Sequence, residues 1–161
     1  MSGPGTAMGI SVTTVTTDQQ APLGFIHTVP ASVTGGTGEQ QWVYVRVDPA
    51  AGAPLAIGEF VSLAGFDVVQ TTPLAQNPVL IIGVAQHAIA QGSWGFILKN
   101  GVGLILEGAT GVPGPGIASG EPFLCGAGGA ALIATATQPA CGFTMGVLDA
   151  GAIGQARIAL V

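Results

Sequence analysis

The chain has 161 residues, enough for one hydrophobic core, yet only 11 of them are charged, where an ordinary soluble domain has roughly a quarter. Three cations, Arg46, Lys99 and Arg157, stand against eight acids and cannot supply the clustered positive stripe that phosphate neutralisation needs, which excludes a nucleic-acid-binding face. A mean hydropathy of +0.63 with 27 Gly and 11 Pro predicts broad neutral or apolar surface, the kind that partners cover.

Along the chain, residues 1–20 read as an extended N-terminal arm. Met1 to Thr6 lacks the basic region and apolar run of a secretory signal, so synthesis in a cytoplasm is expected. Gly3, Pro4, Gly5 and Gly9 deny the segment a helix. Ile10 to Thr17 is β-prone but alternates too poorly to own one face of a core. Such a segment suits an arm laid on a neighbouring surface, with Met8, Ile10, Val12, Thr14 and Val15 as candidate contacts; a frayed terminus is the other reading.

Residues 21–161 read as a single β domain. Short β-branched or aromatic runs alternate with turn residues at Gly24 to Val29, Gln41 to Val47, Glu59 to Ala64, Val79 to Ala85, Trp94 to Leu98 and Val102 to Leu106. They continue at Pro122 to Cys125, Ala130 to Ala134, Gly142 to Leu148 and Gln155 to Leu160. The run Trp42 to Val47 places Trp42, Tyr44 and Arg46 on one face and Val43, Val45 and Val47 on the other, so one face is expected in the core and the other half exposed. The expected fold is all-β, a small β-barrel or β-sandwich.

An internal pseudo-repeat of about 62 residues relates units near 54–98 and 116–160. Gly58-Glu59 recurs as Gly120-Glu121, Ile82-Gly83-Val84 as Met145-Gly146-Val147, and Phe96-Ile97-Leu98 as Ile158-Ala159-Leu160. Between the units, Gly108 to Gly116 reads as a turn-rich connector; no Lys-Ser or Lys-Thr follows it, so it is not a phosphate loop. Pro122 to Leu148 is 27 residues without a charge, but its glycines, Gln138 and Pro139 break any spanning helix, and no membrane span is expected.

The search for chemistry returns structural readings. His27 and His87 have no Cys or carboxylate at ligand spacing, so no metal or cofactor is expected. Ser93, His87 and Asp67 lack the nucleophile elbow that a hydrolytic triad would need. Glu59 and Glu121 invite a paired-carboxylate reading, but their equivalence in the repeat favours two turn devices that accept main-chain hydrogen bonds. Cys125 and Cys141 lie in apolar segments and read as small core residues rather than a bridge. Trp42, Tyr44 and Trp94 could form a sugar-stacking platform, although a chain with nine Phe, Trp and Tyr residues needs most of them inside. No enzymatic activity is expected.

The segments Pro22 to His27, Gln41 to Val47, Ala56 to Glu59, Ile82 to Ala85 and Ala156 to Leu160 together resemble the head decoration, or cement, proteins of tailed bacteriophages. The resemblance implies a small β-structured virion protein, made in the host bacterial cytoplasm, that binds the capsid exterior as a homotrimer. It implies the major capsid protein as partner, whose lattice it stabilises. The alternative is a head or tail knob that binds a host-surface glycan through Trp42, Tyr44 or Trp94.

Overall fold

A computed structural model of the chain describes all residues except 1–5, 8, 35–36, 71–80, 109–116, 134–139, 150 and 161. Twelve strands and one short 3-10 turn, Ala127–Gly129, make up the regular structure among the described residues, and no α-helix is present there. The strands are β1 Thr6–Ala7, β2 Ile10–Ser11, β3 Ile26–Val29, β4 Gln40–Arg46, β5 Phe60–Ala64, β6 Asp67–Gln70 and β7 Ile81–Val84. They continue with β8 Trp94–Leu106, β9 Pro122–Cys125, β10 Ala131–Ile133, β11 Gly142–Thr144 and β12 Ile153–Ala159.

Ten strands form one antiparallel sheet in the order β10-β9-β11-β12-β8-β7-β5-β6, with β4 pairing on β8 and β3 on β4. Among the described residues this sheet is not closed into a barrel. Its end strands, β6 and β10, are four and three residues long. Beyond its ladder with β5 or β9, each is joined further by one parallel bridge, Val47 to Val68 and Glu107 to Ala131, too little to continue a ladder.

The order is symmetric about the β8–β12 pair: β8-β7-β5-β6 runs outward on one side and β12-β11-β9-β10 on the other. Gly83 stands opposite Val61 in β5, and Gly142 stands opposite Phe123 in β9. Gly83 and Gly142 are 59 residues apart, whereas the sequence comparison sets Gly83 beside Gly146 at 63. Met145-Gly146 falls in a bend after β11 rather than in a strand.

The sequence predicts a break at Lys99-Asn100-Gly101, yet β8 runs unbroken for 13 residues. Its first half pairs with β4 and its second with β12. Asn100 joins the two neighbours: its Nδ2 donates to Gln41 Oε1 at 3.0 Å, and its Oδ1 accepts the Leu160 N–H at 2.9 Å. Beyond β7, the Gln86 carboxamide takes the place of a strand residue, accepting the Leu104 N–H at 2.8 Å and donating to the Leu104 carbonyl at 3.0 Å. A side chain thus satisfies Leu104 between the pairing of Leu98 with β7 and the Leu106 N–H bond to the Gly58 carbonyl.

Both faces of β4 are buried, where sequence alternation predicts one. Trp42 and Tyr44 belong to a large apolar cluster with Phe60, Phe96, Leu98 and Phe123. Val43, Val45 and Val47 belong to a second with Leu55, Val61 and Ile97. The strand lies between the two clusters, and each large side chain buried there contributes about 1.5–3 kcal/mol.

Candidate interaction surface

Of the N-terminal segment, residues 10–16 and Gln20 make contacts with the rest of the described chain. Following the small β1–β2 hairpin, Val12 is buried in the large cluster, and half-buried Ile10 packs against the same cluster. Val15 packs on the second cluster. Thr16 exchanges both main-chain hydrogen bonds with Trp94 at 2.9 Å, pinning the segment to the start of β8. Gln20 N–H donates to the Tyr44 hydroxyl at 3.0 Å. Thr14 is exposed, and Met8 lies outside the described residues.

The candidate aromatics are mostly interior. Trp42 is 6% and Tyr44 1% exposed, and Tyr44 meets Phe96 edge-to-face with ring centroids 5.0 Å apart. Trp94 is half-buried, with the Arg46 guanidinium 4.9 Å from its ring centre, and Arg46 also pairs with Asp67 at 3.6 Å. Tyr44, Trp94 and the Thr16–Gln20 strap thus meet in one place, where they close the protein on itself and leave no open aromatic platform.

The two turn glutamates have parallel geometry. Glu59 Oε2 accepts the Ala56 N–H at 2.7 Å, and Glu121 Oε2 accepts the Ala118 N–H at 3.0 Å. Glu59 Oε1 also accepts from Gln70 Nε2 at 2.6 Å. Each follows a glycine with positive φ, Gly58 at 84° and Gly120 at 80°, a conformation that disfavours any side chain. On the loop after β7, His87 has no hydrogen-bond partner for either ring nitrogen, so it engages neither Ser93 nor Asp67, and burial holds its pKa below the usual imidazole value. Cys125 and Cys141 are free and buried in the large cluster. Among the described residues, no group of three or more His, Cys, Asp and Glu side chains is placed to hold a metal ion. No helix among them is long and apolar enough to cross a membrane.

Sequence reasoning missed an outward sheet face. Along β12, Ala156 and Ile158 point inward, while Ile153, Gln155, Arg157 and Ala159 are exposed. Phe143 of β11 stands directly opposite Arg157, and Phe143, Met145 and Val147 are all more than half exposed. Phe143, Met145, Arg157 and Val102 line a hollow of about 420 Å³. An antiparallel sheet with one face in water ordinarily alternates apolar-in with polar-out, and here the outer positions are apolar or neutral apart from one arginine. A second hollow, of about 240 Å³, is bordered by Ile26, Leu63 and Lys99, and Phe66 at the adjoining β5–β6 turn is 92% exposed. Lys99 and Arg157, the cations without an ion pair among the described residues, thus each border an apolar hollow. The signal in the sequence was the pair Phe143 and Met145 at strand spacing, which periodicity alone cannot assign to the inside or the outside.

No family model and no curated protein matches the chain. Among solved structures it is similar to the N base of the head fiber gp8.5 of bacteriophage phi29, with a TM-score of 0.52, 11% identity, and coverage of 73% of this chain and 92% of that one. At this identity the likeness speaks for the fold: the chain shares its β architecture with the base of a phage head fiber.

Proposed function

We propose that this chain is a non-catalytic structural protein of a phage virion, bound to the outside of the head, where it stabilises the lattice of the major capsid protein as a decoration or cement subunit. The observation that carries this reading is the fold shared with the N base of a phage head fiber. Scarce charge and the apolar outward face of β11 and β12 support it, because a lattice contact is made of such surface. Phe143, Met145 and Arg157 are the residues assigned to that contact, and the homotrimer implied by the sequence resemblance belongs to the same proposal. So does the duplication: the two half-sheets are read as one ancestral unit copied and joined through β8. The burial of Trp42 and Tyr44 weighs against the glycan-binding knob, which needs open aromatic faces.

The test is to mix purified protein with empty phage heads and sediment them. Saturable binding at a copy number tied to the shell lattice, with a higher shell melting temperature, is the expected result. Absence from the shell fraction at saturating concentration overturns the reading. Binding to host-surface glycan in its place would establish the knob.

A further inference from the structure

Cys125 closes β9 and Cys141 immediately precedes β11, and these strands are antiparallel neighbours. The Cys141 N–H donates to the Phe123 carbonyl at 2.7 Å, and the Cys141 carbonyl accepts the Ala159 N–H at 3.0 Å, so its backbone is held between β9 and β12. The two sulfurs lie 2.7 Å apart, and both residues are 2% exposed. These are the two cysteines of the chain, and they share one apolar site.

We propose that Cys125 and Cys141 form a peroxide-responsive dithiol that closes to an intramolecular disulfide between β9 and the residue leading into β11. The roles are unequal. The Cys125 S–H donates to the Cys141 sulfur and the Cys125 main chain also bonds to it, which draws the Cys141 pKa down, while burial pushes the Cys125 thiol up. Cys141, whose sulfur accepts that hydrogen bond, is assigned as the thiolate that reacts first. Its sulfur attacks one peroxide oxygen; an S–O bond forms, the O–O bond breaks, and hydroxide leaves to take up the proton that Cys141 released. The Cys125 sulfur then attacks the Cys141 sulfenic acid; the S–S bond forms, the S–O bond breaks, and the oxygen departs as water with the Cys125 proton. Two thiols and one hydrogen peroxide give one disulfide and two waters, the sulfurs being oxidised and the peroxide oxygens reduced. Peroxide is small enough to reach the pair during brief openings of the sheet. This inference does not depend on a capsid partner.

The experiment exposes the folded full-length protein to hydrogen peroxide, quenches it, denatures it and alkylates the remaining thiols with iodoacetamide before intact-mass measurement. The expected result is a monomer about 2 Da lighter, with neither cysteine alkylated, reversed by dithiothreitol. The oxidised protein should melt on the order of 5–10 °C higher, because closure of a short loop restricts the unfolded chain. In Cys125→Ser, which keeps a hydroxyl donor toward Cys141, dimedone should trap a sulfenic acid at Cys141; in Cys141→Ala, the same exposure should leave Cys125 unmodified. Two alkylated thiols in the treated wild type, oxygen adducts without loss of hydrogen, or disulfide-linked dimers would each overturn the proposal. The wild-type mass decides even if either variant fails to fold.

Discussion

Glu59 and Glu121 make the same contact 62 residues apart, each accepting the main-chain N–H of the residue three positions before it. They differ in surroundings: Glu59 is buried and also holds the Gln70 amide, whereas Glu121 is half-buried and has only the turn contact among the described hydrogen bonds. Removal of the first leaves two donors without their acceptor. Glu59→Ala should cost about 2–3 kcal/mol and Glu121→Ala about 1 kcal/mol, read from urea midpoints at unchanged m-value. Equal costs would contradict the assigned difference.

The glycines of those turns should separate further. A Cβ at Gly58 would sit 2.5 Å from the Leu106 nitrogen and 2.8 Å from the Ile105 carbonyl carbon, main-chain atoms of β8 that cannot yield locally, while a Cβ at Gly120 meets open space. Gly120→Ala should then carry only the backbone penalty of positive φ, about 1–2 kcal/mol. Gly58→Ala should exceed it by several kcal/mol or prevent folding, as judged by soluble yield and thermal melting.

Asn100 offers a direct test of the strand junction. Asn100→Ala removes both side-chain links, to Gln41 and to Leu160, and should cost about 1–3 kcal/mol. Asn100→Asp retains the acceptor for the Leu160 N–H and should fall between the alanine variant and the wild type in thermal melting.

Glu107 gives stability a pH dependence of known sign. It is buried, its Oε2 lacks a hydrogen-bond partner, and its pKa is raised by desolvation and secondarily by Asp149, against a main-chain hydrogen bond at Ile117. A carboxyl with a raised folded-state pKa binds its proton more tightly when folded, so its contribution falls as pH rises from the ordinary carboxylate range through the raised value. Glu107→Gln should therefore melt higher than wild type at pH 7, and the gap should close toward pH 4. A gap that widens on acidification would refute the assignment.

The outward face of β11 and β12 should be separable from stability. Phe143→Asp and Arg157→Glu alter exposed side chains and should leave the melting temperature within about 2 °C of wild type. On the proposed function, each should reduce binding to empty heads at least tenfold, measured by co-sedimentation over a concentration series.

The all-β class was legible because runs such as Trp42 to Val47 combine β-branched and aromatic residues with frequent turns, and β9 was placed at its full extent. The open form of the sheet was not legible. Whether an end strand closes a barrel depends on pairings such as Val47 with Val68, which join segments far apart and leave no local pattern. Strand β6 was missed because Gly65-Phe66-Asp67 reads as the end of a run, whereas it is a hairpin tip with its large side chain turned to solvent. Continuity through Asn100 was hidden for a related reason: the residue is turn-prone by itself, and partners from two distant strands hold it extended. In the candidate interaction surface, Ile153 and Ile158 look alike in sequence but face opposite sides of the sheet. Only the register separates them.

Because β8 gives residues 94–98 to β4 and residues 100–106 to β12, its partners become available at different moments of synthesis. The nascent chain can complete the β4 side as soon as residue 106 clears the ribosome, but that same strand presents an uncovered edge until residues 153–159 follow. Truncation after residue 106 would leave that edge exposed for good, and association through it is the failure to expect from shortened chains. The two halves of the sheet are thus bound to a common fate, and β12 protects the strand on which the first half depends.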